Sequence, residues 1–357
     1  MRIGIIIISI CALQSCRKEI VHVPGITSSD GEDDTTQTGT SSSWTAVTSE
    51  TGLDLLSIEV FNNEIYVGGN FELFADSLEG FVKLNSQGQV VQAAPGNWYF
   101  GGVTDMEVIN NELYVSGAFS YFNLPQLISA YSFFKMDAGG IISEVEITTE
   151  AFDNIRDITE FNGGIVVSGY FTPDTDNSFV TGNVDFLQNE VPQGLAVLDA
   201  HVYQTVVHEG VLFAVGNEII LKKWDGAAWN DEIYYQPHWQ DEVYALASFE
   251  SELYILGNFQ NGVLLKKMDA GGVWSNVSDI TSLGTPSFMD DIVVVDGKLY
   301  VLGSGMQLDG VLSSNVISFD GVEWTAIGNM TSSARDMTSK DGKLVLATDN
   351  GVYEIDK

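Results

Sequence analysis

Three observations predict an all-β fold, a seven-bladed β-propeller of four-stranded antiparallel blades. One hairpin phrase returns seven times at steps of 41 to 52 residues, helical periodicity is almost absent, and a fragment ahead of the first copy supplies the strand that the last copy lacks. A β-sandwich, the competing all-β arrangement, has no need of a fixed period.

In chain order, the first element is an address. Met1-Arg2 and the apolar run from Ile3 to Leu13 are too short to form a permanent transmembrane helix and read as a signal peptide, residues 1–15. The run stops at Leu13-Gln14-Ser15-Cys16, which resembles the bacterial lipoprotein box; that resemblance implies cleavage before Cys16 and acylation of its thiol, the alternative being an ordinary secretory signal with a chance cysteine. Arg17 stands where retention in the inner membrane would call for Asp, so the resemblance implies the outer membrane of a cell envelope. Several acyl chains on one cysteine give stable anchoring, since each buried CH₂ contributes about 0.8 kcal/mol.

Residues 16–43 come next, rich in Ser, Thr, Gly and Asp, as in Ser28-Ser29-Asp30-Gly31-Glu32-Asp33-Asp34. Such a segment has too little apolar surface to offset the entropy of ordering, so it is expected to be a tether spanning roughly 30 Å.

The propeller is expected over residues 44–357. Its phrase is clearest in Glu59-Val60-Phe61-Asn62-Asn63-Glu64-Ile65-Tyr66-Val67-Gly68-Gly69-Asn70-Phe71, where two strands flank a turn able to take positive φ. The second-strand anchors are Tyr66, Tyr114, Val166, Phe213, Tyr254, Tyr300 and Val345, and a glycine follows three residues later in six of the seven. A third strand ends in phrases such as Lys83-Leu84-Asn85 and Lys135-Met136-Asp137, and a fourth opens at Trp229, Trp274 or Trp324. The last copy ends with its third strand, at Gly351 to Lys357. Ser43-Trp44-Thr45-Ala46-Val47 matches Glu323-Trp324-Thr325-Ala326-Ile327, so the N-terminal strand is expected to close the last blade.

With the phrase from Tyr66 to Phe71 and the later Lys83-Leu84-Asn85 to Gly88, the chain resembles delta-60-type propeller repeats, and more loosely kelch-like ones. The resemblance covers residues 44–357 and implies architecture; for activity it implies almost nothing, because propellers host unrelated functions. The fourth copy departs most, with Glu218 where others have Phe and a very short loop between its second and third strands.

Chemistry is sparse. The chain carries 15 Lys and Arg against 49 Asp and Glu, a net charge of −34, which argues against nucleic acid as a partner and fits the solubility of an exported protein. Its two cysteines are Cys11 and Cys16, and its histidines are His22, His201, His208 and His238, with no metal-ligand spacing. Asp174-Thr175-Asp176-Asn177 opens like a calcium loop but lacks the central Gly and closing Glu, and reads as a polar loop. No nucleophile elbow or phosphate loop occurs, so neither metal nor cofactor is expected.

One column of the repeat stands out. Nine residues before the anchors lie Ser57, Asp105, Asp157, Gln204, Ala245, Asp291 and Asp336, expected at one mouth of the central channel. Such a ring has two possible roles: binding a cation, sugar or basic peptide, or accepting backbone N–H bonds at the entry to each blade. Loops between second and third strands, at 72–80, 120–130, 172–182 and 306–313, should open on the same face and carry Tyr121, Phe122 and Phe179, as ligand contacts or as packing between blades. The expected function is a non-catalytic, membrane-anchored binding or scaffolding surface for a glycan or protein; the alternative is a polysaccharide- or peptide-acting enzyme using carboxylates at the channel mouth.

Overall fold

The computed structural model describes residues 43–357 apart from short segments, the longest being 146–153, 171–182 and 233–241. The signal segment, Cys16 and almost all of the tether lie outside the described residues.

The described chain is built of β-strands, each blade running from an inner strand outward. Blade 1 is Leu55–Phe61, Glu64–Leu73, Leu78–Leu84 and Val90–Gln92; blades 2 to 6 repeat the pattern from inner strands Val103–Ile109, Asn154–Phe161, Val202–His208, Glu242–Phe249 and Met289–Val295. Blade 7 takes three strands from the end of the chain, Ala334–Lys340, Lys343–Thr348 and Gly351–Asp356, and its fourth from the beginning. Thr45 pairs with Glu354 and Ala46 with Tyr353, the Val47 amide donates to Val352 O at 2.8 Å, and Trp44 Nε1 donates to Ile327 O at 3.1 Å. The ring is therefore closed by the strand that the repeat pattern assigned to it. No helix among the described residues is long and apolar enough to cross a membrane.

Local chemistry explains why each copy folds alike. The turn between the first two strands has two consecutive residues at positive φ in all seven blades, from Asn62 and Asn63 (50° and 61°) to Asp341 and Gly342 (52° and 81°). This is the backbone twist that a two-residue hairpin turn needs. The anchor tyrosines Tyr66, Tyr114 and Tyr254 each have a glutamate two residues earlier, and a lysine facing them in the third strand completes the pair: Lys83–Glu64 at 2.8 Å, Lys135–Glu112 at 3.1 Å and Lys267–Glu252 at 2.8 Å. At the end of that strand Asn85, Asp137 and Asp269 turn the chain by accepting backbone amides two and four residues on, at 2.8–3.0 Å. The third-strand phrase of the repeat is thus a lysine for the pair and an Asx turn for the exit.

Apolar faces meet between neighbouring blades. Phe81, Phe119, Tyr121 and Phe134 pack together where blades 1 and 2 meet, and Trp44 shares a cluster with Tyr300, Leu302 and Leu346 where blades 6 and 7 meet.

Three of the four expected connecting loops differ from the sequence reading, and the fourth, 172–182, lies outside the described residues. In blade 1 the hairpin continues past a register shift to the pairs Glu72–Glu79 and Leu73–Leu78. Blade 2 extends likewise to Asn123–Ile128, and Asn97–Tyr99 from the preceding connection lies alongside. The 306–313 segment of blade 6 is a hairpin whose first strand pairs with the outer strand of blade 5, Ile280 to Leu308. The reason is physical: an exposed strand edge gains stability by pairing, and these segments lie within reach of one.

Candidate functional site at the channel mouth

In all seven blades the ladder between the first and second strands omits one residue at the same place. Leu55 pairs with Gly69 and Ser57 with Gly68; the equivalent steps run from Val103 to Asp105, Ile155 to Asp157, Val202 to Gln204, Val243 to Ala245, Met289 to Asp291 and Ala334 to Asp336. A bulge of this kind frees one residue from the ladder and redirects its side chain. The omitted residues are Leu56, Thr104, Arg156, Tyr203, Tyr244, Asp290 and Arg335.

The repeated glycine accounts for the bulge. A Cβ on Gly69, Gly117, Gly169 or Gly216 would collide with the carbonyl oxygen of Asp54, Gly102, Asn154 or His201, the backbone just entering the bulge. In those four blades only a residue without a side chain lets the inner strand come that close, whereas blade 7 makes the same bulge opposite Thr348.

The bulges surround a cavity of about 490 Å³ to which every inner strand contributes. Six omitted residues line it: Leu56, Thr104, Arg156, Tyr203, Tyr244 and Arg335. The following position contributes Asp105, Asp157, Gln204, Asp291 and Asp336, so these predicted residues do come together at one mouth. Ser57, the equivalent in blade 1, is buried beside them and outside the lining.

The two neighbouring columns are used differently. Asp105 accepts the Met106 amide at 2.8 Å on one oxygen and the Ile158 amide of blade 3 at 2.7 Å on the other. Asp336 does the same with Met337 at 2.7 Å and Ile58 of blade 1 at 2.8 Å. One Asp157 oxygen accepts from both the amide and the hydroxyl of Thr205 in blade 4, at 2.9 and 2.6 Å, and Gln204 accepts the Leu246 amide of blade 5 at 2.5 Å. Among the described residues these bonds clasp four blade interfaces, and Asp291 accepts the amide of Ile292 at 2.7 Å. These acceptors serve the second of the two roles left open by the sequence.

Electrostatics follow from crowding acids into the channel. Burial raises Asp105 well above the usual carboxylate range, and the charges of Asp157, Glu107 and Asp336 push it further. Burial lifts Asp157 to about 6 despite the donors around it, and raises Asp336 as well. Glu59 and Glu107, two residues further along their strands, rise to about 7 and about 8, again chiefly through burial. Among the described residues no cluster of three His, Cys, Asp or Glu could hold a metal ion.

Of the aromatics named for the loops, Tyr121 takes the packing role that the sequence left open. Tyr121 is 1% exposed and packs on Phe134 with ring centroids 6.3 Å apart, so it is a core residue and not a loop contact. The backbone of Phe122 is paired within the extended hairpin, opposite Ser129 and Asn97. Phe179 lies outside the described residues.

What the sequence reading missed is the display column, ten residues before each anchor. Arg156 and Arg335 are the only arginines in residues 44–357, and both occupy it. Tyr203 and Tyr244 occupy it in adjacent blades, and the Arg156 guanidinium lies 5.1 Å from the centre of the Tyr203 ring. That coincidence of residue types was a signal available in the sequence.

No protein-family model and no curated protein sequence matches the chain. Solved structures do. Virginiamycin B lyase from Staphylococcus aureus superposes with a TM-score of 0.58 at 10% identity, covering 87% of this chain and 97% of that one. YCF48 bound to D1 peptide gives 0.57 at 12%, covering 87% and 94%, and the WD40 β-propeller domain of Doa1 gives 0.56 at 12%, covering 88% and 96%. At such identities the likeness establishes the fold alone. Fold and site define the class: a seven-bladed β-propeller with a cavity at one mouth of its central channel.

Proposed function

We propose that the chain is a non-catalytic cell-envelope lipoprotein, anchored through Cys16 in the outer membrane, whose channel mouth binds a glycan or protein ligand. The observation that carries the binding role is the display column. Seven bulges free one side chain per blade, and six of these line one cavity whose size suits a small ligand. Three acids beside them, Asp105, Asp157 and Asp336, are occupied in joining blades, which favours a rigid binding ring over a reactive one. The anchor rests on the sequence of Leu13 to Cys16.

The full-length chain, probed on glycan and peptide arrays, is expected to give a defined set of hits that disappears when Arg156 and Tyr203 are both replaced. Hits that survive the replacement would move the binding surface away from the mouth. Radiolabelled palmitate should enter the wild type and not Cys16→Ser; equal labelling of both would remove the anchor.

One observation favours a second reading, an enzyme acting on polysaccharide or peptide. The Glu107 carboxyl, two residues along the strand from Asp105 and outside the cavity lining, is pushed up to about 8 by burial and by the charges of Glu59 and Asp157, so it can hold a proton to donate near neutral pH. That reading predicts turnover of whichever array ligand binds and its loss in Glu107→Gln. Binding without turnover in the wild type would remove it.

A further inference from the structure

The face of the ring opposite the channel mouth also has an assignable partner, an inference that rests on the lipid anchor proposed at Cys16. We infer that this face rests on the lipid surface holding the anchor, with Ile141, Val191, Val273 and Val322 entering the headgroup layer, so that the mouth opens away from the membrane.

Chain direction separates the two faces. Each inner strand begins at the mouth, beside its bulge, and ends at a hairpin turn on the other side, such as Asn62-Asn63. The second strand returns and the third runs out again, so the turns that follow first and third strands share one face. The borrowed strand of blade 7 starts on that face. It runs antiparallel to Gly351–Asp356, with Thr45 opposite Glu354 and Ala46 opposite Tyr353, and Trp44 packs with Leu344 and Ile355 near the Asp341-Gly342 turn. The chain that joins Trp44 to Cys16 is therefore attached on the side away from the mouth. With an expected span of roughly 30 Å, such a tether reaches lipid most readily from its own side, since the inner strand Leu55–Phe61 alone is about 23 Å long.

Exposed apolar side chains point to the same face. Among the described residues six large apolar side chains stand out as exposed, and five of them, Ile141, Val191, Val273, Val294 and Val322, lie in or beside these turns. Their exposure runs from 45% to 88%, whereas the sixth, Tyr170, rests its ring against His201. Ile141 and Val273 hold the same place in the repeat, four residues after the turn-forming Asp137 and Asp269. Equivalent places in a ring of like blades share one level along its axis. Separate apolar points on blades 2, 3, 5 and 6 suit a planar lipid surface; a protein partner calls for one contiguous apolar core.

Charge has the same direction. Every lysine of residues 44–357 lies in, or just past, the half of its strand nearer these turns, and several, such as Lys83 and Lys343, pair with glutamates there. The mouth is lined by four aspartates against two arginines, with no lysine. In a chain of net charge −34, the mouth is thus the end more strongly repelled by lipid phosphates, while lysine stems can lie along an interface with their ammonium groups in water.

The acylated full chain is tested in vesicles of phosphatidylcholine and phosphatidylglycerol that carry a nitroxide quencher at the headgroup. A fluorophore is placed on Val273→Cys or Val322→Cys at the inferred contact face, or on Tyr170→Cys, which stands opposite Asn154 at the mouth side. Emission at 273 and 322 should be mostly lost, and emission at 170 kept. Ile141→Asp combined with Val273→Asp should restore emission at 322 while flotation with the vesicles and the melting temperature stay unchanged. Equal quenching at 170 and 322 would overturn the orientation, and continued quenching at 322 in the double variant would overturn the apolar contact. A dimer of the acylated chain in detergent that Val273→Asp dissociates would assign the face to a second copy and overturn the proposal. Flotation without quenching at any position would overturn this inference and leave the anchor standing; a chain that takes up no palmitate would overturn the anchor and the inference with it.

Discussion

The carboxylate of Asp105 spans two blades, taking the amide of Met106 in its own strand and that of Ile158 in the next, at 2.8 and 2.7 Å. The inner strands carry their free backbone groups toward the channel, and this acceptor satisfies two of them where no further strand can.

Removing it should therefore cost stability at the ring rather than at one blade. Asp105→Ala and Asp157→Ala each leave backbone amides without an acceptor, and each should destabilise the fold by about 1–3 kcal/mol in chemical denaturation. Asp320→Ala, whose exposed carboxylate accepts the Val322 and Glu323 amides in a turn at the end of a third strand, should cost less. Equal losses at all three positions would contradict the interblade clasp.

Gly169 is expected to tolerate no side chain. A Cβ there would collide with Asn154 O and stand 2.9 Å from Ile155 Cα and 3.0 Å from the Arg156 amide. Gly169→Ala should lose about 2 kcal/mol or more, with weakened ligand binding, because the backbone that must move is the bulge presenting Arg156. Gly163→Ala is the control, since the space around Gly163 is open and only its positive φ of 73° is strained.

Stability should fall as pH rises through the neutral range. Glu59 and Glu107 hold their protons in the folded state to about pH 7 and 8, whereas each ionises near 4.5 when unfolded. The folded chain thus binds more protons between pH 4.5 and 8, and the free energy of unfolding declines across that window. Glu59→Gln should raise stability at pH 8 by about 1–2 kcal/mol, allowing for its partial contact with channel water, and leave it unchanged at pH 4.5. A gain of equal size at both pH values would show that the side chain acts through packing and not through its charge.

Ring closure depends on Trp44, which is 9% exposed and donates to Ile327 O. Trp44→Ala should cost about 3–5 kcal/mol, and Trp44→Phe, which keeps most of the packing, clearly less. Loss comparable to an exposed substitution would mean that blade 7 is stable without its borrowed strand.

Blade number, strand order and closure were legible because each is written in a short, repeated stretch: the Asn62-Asn63 type of turn, the glycine after the anchor, and the match of Trp44 to Trp324. These are local requirements of φ, hydrogen bonding and side-chain size, so they leave a mark at a fixed spacing. The acidic column was also legible, since its period is that of the blade.

Which way each column points was not. Arg156 and Asp157 are neighbours in sequence and both line the cavity, yet one lies over the Tyr203 ring and the other accepts an amide from the next blade. Their roles differ because the second strand, held close by Gly169, forces a bulge between Ile155 and Asp157, and because blade 4 brings the Thr205 amide alongside. Both causes lie on other strands. Which of its two possible roles Tyr121 takes was undecided for the same reason: its burial depends on Phe134 across the hairpin and Phe81 in the blade before, and only assembly of the ring brings them together. The sequence by itself determined the repeating unit and its closure; the approach of separate strands decided which side chains line the channel mouth.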